Sequence, residues 1–321
     1  GPYRMALDAA LYDAQKNPGA ERFSQAYALM LKRLSKNTRQ DVPRPDMVKS
    51  NLFRRLNKQR ATYSLGNGVT FADKDVDKEK LGAEFDEQIQ KAGYFALIHG
   101  ESFGFWNNDL QGVFKLTEFA PLYDETTGSM RAGVRFWRLN PDTDMHYVLY
   151  EEDGYTEYTE SRIGSTMQEK TPKQAYKSVT VSTPGGGLES VEGENYSALP
   201  VVPLWGSDLH QSTLVGLKAY IDTTDLVTSG FCSDLQDCAQ IYWLCENFNG
   251  MTDDELQEFL AKLNLYHIAG ADTSEGGKIT PYTSEVPVTA RQTLLELLHT
   301  RVYEDFGGLD VHCVSAKPMN P

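Results

Sequence analysis

Carboxylate side chains are the residues whose types and spacing come closest to a chemical site in this chain. They form two short runs, Glu151-Glu152-Asp153 and Asp253-Asp254-Glu255. Grouped carboxylates bind divalent cations, so one hypothesis is a metal-dependent enzyme that processes nucleic acid. Neither run belongs to a 12-residue calcium-loop pattern. A solvated turn at the first run is the simpler interpretation, and a helix start at the second, because carboxylates favour the positive end of a helix dipole.

The other residue types that serve catalysis lack the necessary spacing. The six histidines stand singly, the four cysteines form no C-x-x-C pair, and neither H-E-x-x-H nor G-x-S-x-G occurs. Gly276-Gly277-Lys278 resembles the end of a phosphate-binding loop. Asp272 stands where that loop needs an earlier glycine, however, and Ile279 where it needs a hydroxyl. We therefore predict no catalytic residue, no metal site and no cofactor.

Basic side chains are concentrated in one acid-free segment, residues 49–60. The chain as a whole has a formal net charge of -14, with 45 acidic and 31 basic residues. Proteins that grip DNA neutralise its phosphates with basic residues, so this balance argues against tight binding. It is compatible with an acidic wall past which DNA slides. We expect the basic segment to contact a neighbouring subunit or to be a solvated face, and its subunit-contact candidates are Arg54, Arg55, Lys58 and Arg60.

Helices are predicted for the N-terminal part of the chain. Apolar residues recur at helical spacing in four segments, which are residues 7–14, 23–34, 46–60 and 81–92. Asn17-Pro18-Gly19 separates the first two. At 321 residues the chain is long enough for two or more compact units. No run of 18 apolar residues is present, so we expect no helix that spans a membrane.

Strands are predicted for the middle of the chain. Aromatic and β-branched residues are concentrated in short segments separated by turns, at residues 113–117, 130–138, 145–150, 155–158 and 177–181. This pattern predicts an antiparallel meander with one buried and one solvated face. Prolines bracket residues 199–205, which predicts an edge strand. Together with the helices, these strands indicate an α+β fold.

The C-terminal third is predicted to consist of two long helices with a small mixed α/β segment between them. Ser207 or Asp208 is expected to cap the first helix, which runs to about residue 247. Thr252 and Glu255 form a capping box that opens a short helix, and residues 265–269 are strand-like. The last helix begins near Thr289.

Five stretches, in this order, resemble siphophage-type portal proteins, which are the head-to-tail connectors of tailed bacteriophages. They are spread over most of residues 60–313, and it is their order that carries the resemblance. They are residues 63–71 (YSLGNGVTF), 93–106 (GYFALIHGESFGFW), 118–137 (with APLYD and RAGVRFW), 199–250 (from LPVVPLWGSDLH to ENFNG) and 304–311 (EDFGGLDV).

The resemblance implies a division of the chain into wing, stem and clip. Residues 1–206 would be the wing, with helices and the antiparallel meander, and residues 207–245 the first stem helix. Residues 246–288 would be a small mixed α/β clip. Residues 289–321 would hold the second stem helix and the start of the return into the wing. Portal proteins of this type continue into a tunnel loop and a crown, so we expect the chain to be truncated before them.

The resemblance also implies a function. Rings of about twelve portal subunits surround a DNA channel at one capsid vertex and serve genome packaging, head–tail joining and DNA ejection. The expected partners are other copies of the chain, the large terminase, a head–tail adaptor, capsid or scaffolding protein, and double-stranded DNA that passes without sequence recognition, with no membrane partner. The expected location is the virion, after assembly in the host bacterial cytoplasm. The alternatives are the metal-dependent phage enzyme and a non-portal interaction module at residues 246–288.

Site residues follow from this mapping. The candidates for lining the channel are Asp222, Asp225, Asp234 and Asp237. The candidates for partner docking on the clip are Asp253, Asp254, Glu255, Glu258, Glu275 and Lys278.

Overall fold

The structure is a computed structural model. The chain folds into two compact units. The structure describes residues 2–34, 47–73, 77–182, 188–238, 242–246, 252, 254–255, 257–258, 278–282, 287–308 and 310. The first unit holds Gly1–Phe23, Lys49–Thr224 and Leu298–Pro321, and the second holds Ser24–Val48 and Asp225–Leu297. Two of the four unit borders lie inside the two long C-terminal helices, so these units do not coincide with the predicted wing, stem and clip, whose borders stay a prediction.

Four helices begin the chain, as the apolar spacing predicts, although their bounds differ. They are α1 (Pro2–Asp13), α2 (Pro18–Leu34), α3 (Leu52–Leu65) and α4 (Phe85–His99). Pro18 opens α2, where its fixed φ and missing amide proton suit the first helical turn. Helix α4 ends at His99 and is capped by Gly100, which has a φ of 89°. Glycine adopts that left-handed conformation without steric cost.

Antiparallel strands fill the middle of the first unit. In chain order they are β1 (Glu101–Trp106), β2 (Leu110–Lys115), β3 (Phe119–Tyr123), β4 (Met130–Trp137), β5 (Met145–Glu151), β6 (Gly154–Glu160), β7 (Gln168–Gln174), β8 (Lys177–Ser182), β9 (Leu188–Glu194) and β10 (Val201–Trp205). Strands β3 to β7 form a five-stranded antiparallel meander in sequence order, which confirms that a meander is present. Of the strands predicted for it, β4, β5 and β6 belong to this sheet, whereas the predicted strands at 113–117 and 177–181 correspond to β2 and β8 in other sheets. The predicted edge strand is also confirmed, because β10 is the outer strand of a three-stranded sheet with the order β10-β1-β2.

The C-terminal third contains α5 (Leu214–Cys238), β11 (Tyr242–Glu246), β12 (Lys278–Tyr282) and α6 (Val288–Phe306). The predicted first long helix was therefore too long at both ends. The Leu214 amide at the start of α5 donates a hydrogen bond to Ser212 Oγ at 3.1 Å. The capping residue is therefore Ser212 rather than Ser207 or Asp208. Strand β11 pairs antiparallel with β12 instead of continuing the helix. The predicted strand at 265–269 lies outside the described residues.

Two hydrophobic cores hold the first unit together. One is helical and combines residues from α1, α3, α4, α5 and α6, among them Tyr12, Phe53, Leu56, Ile98, Leu214, Leu217, Ile221, Val302 and Phe306. The other lies against the sheets and includes Phe103, Phe114, Phe119, Val148, Tyr150 and Val201. Burying side chains of this size contributes roughly 1.5–3 kcal/mol each. The cores therefore fix the start of α5 and the end of α6 within one unit.

Candidate functional site

Asp222, the first channel-lining candidate, lies on α5 within the first unit. Its carboxylate accepts a hydrogen bond from the Tyr12 hydroxyl and pairs with the Lys218 ammonium at 2.9 Å. A Cβ at Gly19 would collide with the Asp222 carboxylate, so a larger residue there would have to displace this side chain. Asp222 thus joins α1 and α2 to α5, and Lys218 offsets its charge.

The other channel-lining candidates differ in exposure. Asp225 is 1% exposed, which argues against a lining role for this residue. Asp234 pairs with Arg291 within the second unit, where Arg291 also lies 5.6 Å from the ring centre of Phe231. This ion pair joins α5 to α6. The side chain of Asp237 lies outside the described part of the chain.

The basic candidates of α3 mostly make contacts within the first unit. Arg55 donates a hydrogen bond to the Tyr303 hydroxyl at 2.8 Å. Arg60 lies 5.4 Å from the ring centre of Phe306 on α6. Arg54 is exposed and lies beside the Tyr94 hydroxyl. Lys58 is exposed as well. Arg55 and Arg60 therefore attach α6 to α3, while Lys58 and Arg54 are the candidates most available to a neighbouring subunit.

Of the predicted capping box at residues 252–255, the half in which Glu255 bonds back to Thr252 is present. The Thr252 amide and hydroxyl both donate to Glu255 Oε2 at 2.9 Å, and these bonds lower the pKa of the Glu255 carboxyl. Asp254 and Glu258 are exposed. Lys278 lies in β12, opposite Glu246. The remaining docking candidates, Asp253 and Glu275, lie outside the described residues.

The acidic run at 151–153 is a turn stabilised by ion pairs. Lys173 pairs with the Glu151 carboxylate at 3.0 Å and also with Asp153, and its bond to Asp153 lowers the pKa of that carboxyl. Over the described ranges, no group of three or more His, Cys, Asp or Glu side chains could hold a metal ion. The interpretation of residues 151–153 as a turn is therefore the better one.

The first unit contains a cleft that the sequence analysis does not predict. Its volume is about 950 Å³, and its wall includes His99 and Glu101. Glu101 Oε1 accepts hydrogen bonds from the Trp205 indole at 3.0 Å and from the Tyr123 hydroxyl. His99 Nδ1 donates a hydrogen bond to the Ala6 carbonyl oxygen at 3.3 Å, because a carbonyl oxygen can only accept. His99 and Glu101 both interrupt the apolar stretch at 95–106, and this interruption is the sequence feature that could have pointed to the cleft.

Burial has opposite effects on these two side chains. It lowers the pKa of the His99 imidazole to about 4, so His99 is neutral at physiological pH. It raises the pKa of the Glu101 carboxyl, and the hydrogen bond from Trp205 partly opposes this shift. Desolvation disfavours the charged form in both cases. The cleft wall thus combines a neutral imidazole with one acidic group.

Comparison with known proteins identifies the family. The family model described as "Phage portal protein, SPP1 Gp6-like" matches residues 20–313. A portal protein of Clostridium phage phiCD119 is 35% identical to the chain over 289 residues. That alignment covers 82% of the chain and 60% of the relative. Among the described helices, none combines the length and the apolar character needed to cross a bilayer. The chain belongs to the phage portal protein family of the SPP1 Gp6-like type.

Proposed function

We propose that this chain is a subunit of the ring that forms the DNA channel at one capsid vertex, for genome packaging, head–tail joining and DNA ejection. About twelve copies would form the ring. Membership of the portal family supports this role. The chain spans 60% of the length of the relative from Clostridium phage phiCD119, so the role of the whole ring is a proposal for this chain.

The pairing of β11 with β12 is the observation that best supports the proposal. Glu246 lies opposite Lys278, so the chain leaves this point at residue 247 and returns to it at residue 277. A long helix precedes the strand pair and another follows it. The stem–clip–stem layout of a portal requires this order, with α5 and α6 as stem helices and the intervening segment as the clip.

The acidic surface suits a channel through which DNA moves. Phosphates are repelled by a wall of net negative charge, which keeps DNA from binding tightly. We propose Asp234 and Asp237 as lining residues, together with Asp222, whose charge Lys218 offsets. The chemistry of packaging would reside in the terminase that docks on the ring, because we assign no catalytic group to this chain.

The clip is the proposed docking site for the large terminase and, later, for the head–tail adaptor. Its exposed acidic residues include Asp254 and Glu258. The wing would contact capsid or scaffolding protein, and Lys58 with Arg54 would contact the neighbouring subunit. Assembly would take place in the host cytoplasm, and the finished ring would belong to the virion.

Electron microscopy and light-scattering mass measurement test the ring. We expect particles with a central hole and a mass of about twelve subunits. A compact monomer without a hole, at every protein concentration tested, would refute the proposal. Lys58→Glu should weaken the assembly, whereas Lys91→Glu, which also reverses an exposed lysine on a helix of the first unit, should leave it intact.

A binding assay tests the clip separately. The double variant Asp254→Asn with Glu258→Gln should bind the purified large terminase of the same phage more weakly than the unchanged protein. Glu125→Gln with Asp142→Asn, which removes two exposed carboxylates from the meander, is the matched control. Equal binding by all three proteins would remove these clip residues from the proposed docking site.

A further inference from the structure

Helix α3 has an exposed basic side, formed by Arg54 and Lys58. The opposite side of the helix, with Leu52, Phe53 and Leu56, is buried in the first unit. Arg54 and Lys58 lie one helical turn apart, so their Cβ atoms are about 6 Å from each other. Lys58 forms no ion pair with any residue that the structure describes. Its positive charge is therefore available to a partner outside its own chain.

An acidic groove lies between the start of α4 and the turn that joins β1 to β2. It is lined by residues 81–84 and 109–111, and its volume is about 460 Å³. Glu84 and Asp109 are exposed and carry the only charges among the lining residues. Leu81 and Leu110 add apolar surface. The groove therefore offers two carboxylates and no like charge to a cation.

The fold uses a neighbouring carboxylate of α4 but not the two carboxylates of the groove. Asp86, on the first turn of α4, pairs with Lys78. Glu84 precedes α4, yet its side chain caps no amide of that helix. Within the described part of the chain, neither Glu84 nor Asp109 forms an ion pair. Both carboxylates are therefore unpaired at the surface, as Lys58 is.

Charge complementarity favours a second copy of the chain as the partner of both surfaces. The formal net charge is -14, so two copies repel each other unless a basic surface of one meets an acidic surface of the other. The basic side of α3 and the acidic groove lie on different elements of the same unit. A contact between two different surfaces is head-to-tail, and such contacts generate a ring when the rotation closes. The two surfaces therefore have the relation that a ring of identical subunits requires.

We propose that the basic side of α3 docks into the acidic groove of the neighbouring copy, where Arg54 and Lys58 face Glu84 and Asp109. This inference rests on the proposed ring and names the two surfaces that join its subunits. Each copy would use α3 towards one neighbour and the groove towards the other. A pair of exposed charges contributes little by itself, whereas like charges placed together across an interface oppose binding strongly. Reversing one charge is therefore a sharper test than removing it.

Complementary charge reversal tests the contact. Lys58→Glu and Asp109→Lys each place like charges together, so each variant should need a protein concentration roughly tenfold higher, or more, to assemble than the unchanged chain does. An equimolar mixture of the two variants should assemble at the concentration of the unchanged chain, because alternating copies restore opposite charges at every contact. Light-scattering mass measurement in one buffer compares the unchanged chain, the two variants and their mixture.

Glu125→Lys is the matched control, since it reverses an exposed carboxylate between β3 and β4 of the same unit. It should assemble like the unchanged chain, and mixing it with Lys58→Glu should not restore the assembly of Lys58→Glu. Urea denaturation checks that each variant is folded. Lys58→Gln and Asp109→Asn, which remove one charge without adding its opposite, replace a reversed variant that does not fold. Each of them should weaken assembly by about threefold.

The outcomes separate this contact from the ring itself. Assembly of Lys58→Glu or Asp109→Lys at the concentration of the unchanged chain would overturn the contact, and so would a mixture of folded variants that stays dissociated. Neutral variants that assemble like the unchanged chain would overturn it in the same way. In each of these cases the ring stands. An unchanged chain that stays monomeric at every concentration refutes the ring, and the contact falls with it.

Discussion

Lowering the pH from 7 to 4.5 should destabilise the first unit, because His99 takes up a proton when the unit unfolds. Burial lowers its pKa from 6.5 to about 4. The unfolded state therefore binds more protons than the folded state between these values. The contribution of neutral His99 to the stability of the folded state is fully present above pH 6.5, and it is lost as the pH falls towards the folded-state pKa of about 4. The difference in pKa corresponds to about 3 kcal/mol, of which about 2.5 kcal/mol is lost by pH 4.5.

Other ionisable groups affect this pH range less or in the opposite direction. The pKa of Glu101 is raised, so its protonation as the pH falls to 4.5 stabilises the folded state and offsets part of the loss. Three aspartates have lowered pKa values, namely Asp86, Asp124 and Asp153. Their carboxylates stabilise the folded state above pH 3.8, and this contribution is lost as the pH falls below that value. Ending the titration at pH 4.5 therefore isolates His99 and Glu101 from these aspartates.

Urea denaturation at pH 7, 6, 5 and 4.5 measures the effect. A Trp243→Phe background leaves three tryptophans, all in the first unit, as fluorescence reporters. His99→Asn keeps an N–H donor for the Ala6 carbonyl but does not titrate, so its free energy of unfolding should fall less than that of the parent protein. His210→Asn is the control, since His210 is exposed and has a φ of 50° that asparagine tolerates. Parallel loss of stability in the parent and His99→Asn would refute the reasoning.

Three further substitutions test the packing of the first unit, each by urea denaturation. Gly133→Ala would place a Cβ 2.1 Å from the Phe119 ring and should cost roughly 1–3 kcal/mol, whereas no effect would mean that the ring moves freely. Gly216→Ala on α5 meets no atom within 4 Å and should stabilise the protein by up to about 1 kcal/mol, and destabilisation would contradict this helix assignment. Tyr12→Phe removes the hydroxyl bonded to Asp222 and should cost about 1 kcal/mol, and an unchanged midpoint would show that this contact contributes nothing.

Local periodicity predicted most of the elements, and contacts between distant residues account for what it missed. The meander was predictable because its strands follow one another and pair with their sequence neighbours. The predicted first long helix extends over β11 because a short apolar run such as Tyr242-Trp243-Leu244 fits a helix and a strand equally well. The contacts of Asp222 depend on Tyr12, which lies 210 residues away in sequence. The cleft lined by His99 and Glu101 likewise depends on Tyr123 and Trp205, which no spacing rule connects to Glu101.

Prolines in the outer strands restrict how copies of this chain can associate. Pro121 lies in β3 and Pro172 in β7, the two edges of the meander, while Pro203 lies in β10 at the edge of the three-stranded sheet. A proline donates no hydrogen bond to an added strand, so these edges resist pairing with another chain. Contacts between copies at these edges should therefore use side chains rather than shared strands. This favours interfaces formed by charged and apolar side chains for any assembly that the family membership implies.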